Sequence, residues 1–299
     1  MNGVLPLYKE RGMTSFDCIR RLRQLLHTKK IGHSGTLDPN VSGVLPICIG
    51  TATKLVPYLM ASGKVYAGEV LIGQATTTED LDGEVVDRQA VLKPIDAQQI
   101  KDAMQHLTGE ITQIPPMYSA VKVNGKRLYE YARAGETVER PQRTIFIKEF
   151  KLLASNYDSE QQQQRIRFEV HCSKGTYVRT LAVDLAKQLG YPGTMASLTR
   201  LKSGGFELDQ TLSLADVEDE VNNNTIENYI YPPRFVLQDY PQITLTTQQW
   251  RLVQNGGWLK AQDLHRSEQE IVLLYDGQAK AVYQKAGANY KPATMISVK

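Results

Sequence analysis

From Arg165 to Cys172 the chain alternates without interruption: Ile166, Phe168, Val170 and Cys172 fall on one side, Arg165, Arg167, Glu169 and His171 on the other. A period of two is what a strand needs when one face is buried and the other is wet. A few residues later the period changes. Between Tyr177 and Leu189 the apolar positions Val178, Leu181, Ala182, Leu185 and Leu189 recur at helical spacing, which predicts a helix packed by one stripe.

The same two signals recur elsewhere. Ser15 to Thr28 reads as a helix with Phe16, Ile19, Leu22, Leu25 and Leu26 on one face and Arg20, Arg21 and Arg23 largely off it. Val65 to Ile72 is rich in β-branched and aromatic residues and predicts a strand. Asp96 is placed to cap a helix that buries Ile100, Met104 and Leu107, with Gly109 ending it. Strands and helices interleave without a repeated βαβ unit, which points to an α+β chain with a mixed sheet flanked by helices. The acidic, Asn-rich stretch from Asp216 to Asn228 and the pair Pro232-Pro233 mark a boundary. Beyond it, Ile271 to Tyr275, Asp276-Gly277 and Ala281 to Tyr283 predict a β-hairpin. The expected division is therefore residues 1–236 and a small β-rich module over 237–299.

Composition narrows the class of function. The 299 residues are 41% hydrophobic and 22% charged, an ordinary globular balance. No apolar run is long enough to span a bilayer, and the N-terminal residues lack the pattern of a signal peptide. A cytoplasmic location is the expectation. Cys18, Cys48 and Cys172 are odd in number and never in Cys-x-x-Cys spacing, which argues against a disulfide framework and against a zinc knuckle. The net charge of +3 hides an uneven distribution: residues 209–240 hold seven acidic side chains and one basic one, leaving 34 basic against 25 acidic, or +9, elsewhere. That remainder suits a polyanionic partner.

Several motifs fail on spacing. Thr78 to Gln89 contains Asp80, Asp82, Gly83 and Glu84, but a calcium loop aligned on Gly83 would start at Thr78 and end at Gln89, where acidic ligands belong. Gly32-His33-Ser34-Gly35-Thr36 is one residue short of the hydrolase elbow. No phosphate-binding glycine loop opens a helix, and the five histidines never share metal-ligand spacing. Neither a metal nor another cofactor is expected. One segment keeps its interest: Gly32 to Pro39 cannot be regular helix, because its glycines permit unusual angles and Pro39 pushes Asp38 out of the helical region. It holds a carboxylate between a basic stretch and an apolar one, an arrangement open to a turn former as well as to a catalytic group.

Gly32-His33-Ser34-Gly35-Thr36-Leu37-Asp38-Pro39, with Gly43-Val44-Leu45-Pro46 and Gly50-Thr51-Ala52-Thr53-Lys54, closely resembles the catalytic motif of the bacterial TruB-type tRNA pseudouridine-55 synthases. Lys9 to Ser15, Tyr66 with Thr76 to Gly83, Ile114 to Ala120, Val123 to Arg127 and Cys172 to Thr180 agree in order. The likeness spans nearly the first 210 residues, and the terminal module is more loosely similar to a PUA domain. Glu10 stands where the family has proline after its N-terminal lysine.

The resemblance implies a pseudouridine-synthase fold with a largely antiparallel sheet, an isomerase acting on a tRNA T-loop uridine, and no cofactor. The reaction breaks the glycosidic bond, turns the base and rejoins it through carbon 5. Asp38 would be the essential carboxylate, as nucleophile at the ribose or base or as a base acting through a glycal. Arg179 would pair with it, and Tyr66 would stack on the extruded uracil and assist at carbon 5. Tyr177 and Leu198 would line the uridine pocket, His33 would fill the gap left by the flipped base, and Lys9 would lie close by. Residues 120–151, with eight Lys/Arg against four Glu and with Tyr129 and Tyr131 interleaved, match the insertion that closes over the T arm. The partner expected is tRNA, by its T arm and with the acceptor end open to the terminal module. No membrane and no partner chain is called for, and a monomer is expected. Two other classes stand against this: a non-catalytic tRNA-binding or folding protein on the same scaffold, and a hydrolase using Ser34 or Asp38.

Overall fold

The computed structural model describes residues 1–297; the last two residues of the expected 237–299 module lie outside that range. The chain runs β1 (Gly3–Lys9), α1 (Ser15–Leu25), β2 (Ile31–His33), β3 (Ser42–Ile49), a 3₁₀ turn (Gly50–Leu55), α2 (Val56–Ala61), β4 (Lys64–Ile72), β5 (Gln74–Thr76), β6 (Val85–Arg88), α3 (Ala97–His106) and β7 (Gly109–Gln113). It continues with the short pair β8 (Lys122–Val123) and β9 (Lys126–Arg127), α4 (Leu128–Ala134), β10 (Arg143–Asp158), β11 (Gln163–Cys172), α5 (Val178–Gln188), β12 (Gly193–Ser203) and, further on, α6 (Leu214–Asn222). Two compact units result, one of residues 1–39, 43–62 and 203 onward, the other of residues 40–42 and 63–202.

In the first unit β1 and β2 both pair antiparallel with β3, Leu5 facing Ile47 and His33 facing Ile47 from the other side. Every residue of β3 is buried, as a strand covered on both faces requires. Thr14 starts α1 through a reciprocal bond with Asp17: the Asp17 N–H donates to Thr14 Oγ1, and the Thr14 N–H to Asp17 Oδ2, both at 3.0 Å. The buried stripe is Ser15, Cys18, Ile19 and Leu22, not the one that begins at Phe16, which is 63% exposed. Ser15 takes the inner position because its hydroxyl is bonded to the backbone of Leu37.

The acidic stretch is a packed helix rather than a free connector. Ser213 caps α6, Val217 is fully buried, and Arg21 pairs with Glu218 at 2.7 Å. The predicted hairpin is present between Glu270–Tyr275 and Gln278–Ala286, with Asp276 and Gly277 both at positive φ (49° and 72°) as the tight turn demands. It belongs to a five-stranded sheet ordered Gln242–Thr244, Glu270–Tyr275, Gln278–Ala286, Asn289–Met295, Leu259–Lys260. One core cluster of this module gathers Ile271, Leu273, Tyr283 and Tyr290 around Trp250. Val272, Leu274 and Val282 join a second cluster with Val4, Val44, Cys48 and Leu55.

In the second unit the sheet order is β12-β4-β11-β10-β7, and the pairs β4–β11, β11–β10 and β10–β7 are antiparallel. The alternation read from the sequence holds: Ile166, Phe168, Val170 and Cys172 are buried, and Gln164 extends the same face. Gln164 is tolerated there because its amide donates to Ile95 O and accepts from Ile95 N–H. Asp96 caps α3 as expected, but the helix ends at His106, and Gly109, at φ 92°, opens β7 instead. Among the described residues no helix is long and apolar enough to cross a membrane.

Candidate active site

The loop from Ser34 to Pro39 is held at both residues that flank Asp38. Before it, the Leu37 N–H donates to Ser15 Oγ at 2.9 Å, and that hydroxyl donates back to Leu37 O at 3.3 Å. After it, Pro39 O accepts from the Gly12 N–H at 2.9 Å and from Lys9 Nζ at 3.1 Å. Lys9 is fully buried, and its ammonium also donates to the carbonyls of Glu10 (2.9 Å) and Met13 (2.6 Å). Three carbonyl dipoles are what a buried ammonium needs when taken out of water. Lys9 therefore braces the carboxylate's loop through the backbone. Asp38 itself is half-buried. His33, at the end of β2, accepts the Gly35 N–H on Nδ1 at 3.3 Å. Ser34 is fully buried.

The second unit carries the remaining candidates. Arg179 is the second residue of α5 and only 6% exposed. Its Nη1 donates to Thr78 O and its Nη2 to Tyr118 O, both at 2.9 Å, and Nη1 lies 3.6 Å from Asp80 Oδ2. These contacts fix the plane of the guanidinium. Asp80 is shaped in turn: its Oδ1 accepts from Thr78 Oγ1 and from the Asp82 N–H. The segment that fails as a calcium loop thus acts as an arginine clamp.

Tyr66 lies on β4 opposite Val170 and is 8% exposed. Two residues along the same face is Gly68, where an added Cβ would fall 2.6 Å from Phe168 Cζ and 2.9 Å from Leu198 Cδ1. Leu198 therefore lies over the strand face that Tyr66 shares. Tyr177 precedes α5, and Gln113 clamps its backbone in both directions, donating to Tyr177 O at 3.0 Å and accepting from its N–H at 2.8 Å. The Arg143 guanidinium stands 5.7 Å from the Tyr177 ring centre. In the basic segment Lys126 lies over Tyr131, and Arg127 and Arg133 lie over Tyr129.

Lys9, His33 and Asp38 thus belong to one unit, and Tyr66, Tyr177, Arg179 and Leu198 to the other. The residues missed from the sequence are those that hold others in place: Ser15, Asp80, Gln113 and the carbonyls of Thr78 and Tyr118. Ser15, Thr78, Asp80 and Tyr118 fall in segments that resemble the family, but nothing in their spacing marks a bracing role, and Gln113 carries no signal at all. No group of three or more His, Cys, Asp or Glu able to hold a metal occurs among the described residues.

Residues 23–178 match the model of the TruB family pseudouridylate synthase N-terminal domain, and residues 179–238 that of the tRNA pseudouridylate synthase B C-terminal domain. The chain is 64% identical over 300 residues to the tRNA pseudouridine synthase B of Limosilactobacillus reuteri, covering 100% of both. With its counterpart from Levilactobacillus brevis it shares 59% over 302 residues, again covering 100% of both. Among solved structures it resembles a chain of a Cbf5-Nop10-Gar1 complex, with a TM-score of 0.75 and 23% identity over 99% of this chain and 85% of that one. A chain of an H/ACA RNP bound to a substrate RNA gives 0.72 and 21%, with 99% and 85% covered. These two establish the fold.

Proposed function

The chain belongs to the TruB family of pseudouridylate synthases, and from that premise we propose how its residues act on a tRNA. It is a tRNA pseudouridine synthase, an isomerase that converts uridine to pseudouridine within the RNA. The target we assign is uridine 55 of the T loop. Asp38 is the carboxylate that starts the exchange, and the observation that carries this is the bracing of its loop. Ser15 fixes Leu37 and Lys9 fixes Pro39, so a half-buried carboxylate is presented at one orientation, the pre-organisation that covalent or general-base chemistry needs.

Arg179 directs Asp38 in the reaction. Its two carbonyl contacts and its approach to Asp80 support a guanidinium held in one plane, the geometry that orients a carboxylate. Tyr66 offers its ring to the extruded uracil, with Leu198 on the same strand face, and Tyr177 completes the pocket wall. Stacking of this kind is typically worth about 1–3 kcal/mol per base. His33 takes the place of the flipped nucleotide. The basic residues of 120–150 position the T arm by its phosphates. The module over 237–299 is a PUA-like RNA-binding domain, residues 1–236 form the catalytic domain, and the enzyme works as a monomer in the cytoplasm.

The test is a T-arm transcript carrying tritium at carbon 5 of a single uridine. Full-length protein should release the label when the tritiated residue is uridine 55 and retain it when the label sits at any other position. Release from a stem uridine at an equal rate would refute T-loop selection.

A further inference from the structure

Glu79 stands at the centre of the turn that grips Arg179, and it combines two features that folding disfavours. Its backbone is left-handed, with φ at 65°, a region that residues with a full side chain rarely occupy. Its carboxyl group is largely desolvated, which raises its proton affinity, while the Thr180 hydrogen bond and the Arg179 charge act the other way.

Both features are held by bonds that lead away from the turn. The Glu79 carbonyl accepts the Met195 N–H of β12 at 2.9 Å. The Thr180 hydroxyl donates to Glu79 Oε2 at 2.7 Å. Thr180 is the residue after Arg179 on α5. On either side of Glu79, Thr78 gives its carbonyl and Asp80 its carboxylate to the Arg179 guanidinium. The turn is tied at its base too, where Thr76 Oγ1 donates to Asp80 O at 2.6 Å and lies 2.9 Å from Thr194 Oγ1. One side chain thus fastens the clamp to the same helical turn that carries the clamped arginine.

We propose that Glu79 is a positioning residue for the isomerisation: through Thr180 and Met195 it fixes the Thr78 carbonyl and the Asp80 carboxylate against Arg179, and so sets where the guanidinium points. This rests on Arg179 acting upon Asp38 in the reaction. A displacement of the order of an ångström at such a group is enough to slow chemistry without touching RNA affinity.

The experiment uses the full-length protein and a T-arm transcript tritiated at the target uridine, with single-turnover release and RNA binding measured side by side. Glu79→Ala should slow release by about 10- to 100-fold while leaving the dissociation constant within about twofold. Glu79→Gln keeps an oxygen for the Thr180 hydroxyl and should restore most of the rate. Thr180→Val should behave like Glu79→Ala, and Thr180→Ser like the unaltered protein; this pair decides the matter if Glu79→Ala does not fold. A Glu79→Ala enzyme with an unchanged rate, or one whose affinity falls as far as its rate, overturns the inference. So does a Glu79→Gln or a Thr180→Ser variant as slow as the truncations. Arg179→Lys is measured in parallel: if it turns over normally, the role assigned to Arg179 is wrong, whereas a slow Arg179→Lys beside a normal Glu79→Ala removes the inference about Glu79 alone.

Discussion

Single residues of this enzyme are set by what their neighbours leave room for, and Gly68 is the clearest case. A Cβ there would lie 2.6 Å from Phe168 Cζ, 2.9 Å from Leu198 Cδ1 and 3.0 Å from the Ser197 carbonyl. The last is backbone and cannot swing aside, so Gly68→Ala should destabilise the fold by about 1–3 kcal/mol, read from the shift of a urea unfolding midpoint. An unshifted midpoint would show that β12 gives way freely. At this scale the sequence was legible in part. Asp38 stood out as a carboxylate in a segment barred from helix, but the pairing proposed for it with Arg179 rests on resemblance, because no local spacing links residues so far apart in the chain. The bracing roles of Ser15 and Lys9 were hidden for the same reason: side-chain bonds to carbonyls of another loop leave no pattern along the chain.

Elements follow their capping and periodicity closely. The reciprocal Thr14–Asp17 bonds define the start of α1, and Thr14→Ala should cost about 1 kcal/mol. The Asp17 carboxyl is held below its ordinary value, first by the Thr14 hydroxyl and then by the Thr14 N–H. A carboxylate whose folded value is depressed stabilises the fold at pH above its unfolded value, and the contribution fades as pH falls through the folded one. Asp17→Ala should therefore lower the melting temperature at neutral pH, and the gap from the unaltered protein should shrink once pH drops below the ordinary value of 3.8. A gap independent of pH would rule out the charge as its source. The strand of β11, the helix α5 and the Asp276-Gly277 hairpin were all legible, since each signal is local. Phe16 was not: a hydrophobic stripe can be drawn through it, but Ser15 occupies the inner position because of a tertiary bond to Leu37. The end of α3 departs from its sequence signal similarly, with Gly109 serving as the entry to β7 rather than as a helix stop.

At the scale of the whole molecule the charge distribution matters more than its total. The seven acidic residues of 209–240 conceal a +9 balance over the rest of the chain, and part of the acidic set lies on α6, where Glu218 is paired with Arg21. The basic segment, with its tyrosines beneath Lys126, Arg127 and Arg133, is the part proposed to meet phosphates. Affinity for a T-arm transcript should fall by about a thousandfold between roughly 50 and 200 mM salt if about six phosphates are neutralised. A flat response would place recognition elsewhere. Fold class and family were legible at this scale because the matching segments extend over most of the chain. The packing of Val272, Leu274 and Val282 with Val4, Val44 and Cys48 was not, since it joins the two ends of the sequence.

The decisive measurement replaces the Asp38 carboxylate by an amide of nearly the same shape. With Asp38→Asn, T-arm binding should stay within about threefold of the unaltered enzyme, and tritium release from the target uridine should not rise above background over many half-lives of the normal reaction. Release at an undiminished rate by the amide variant would contradict the account at its centre.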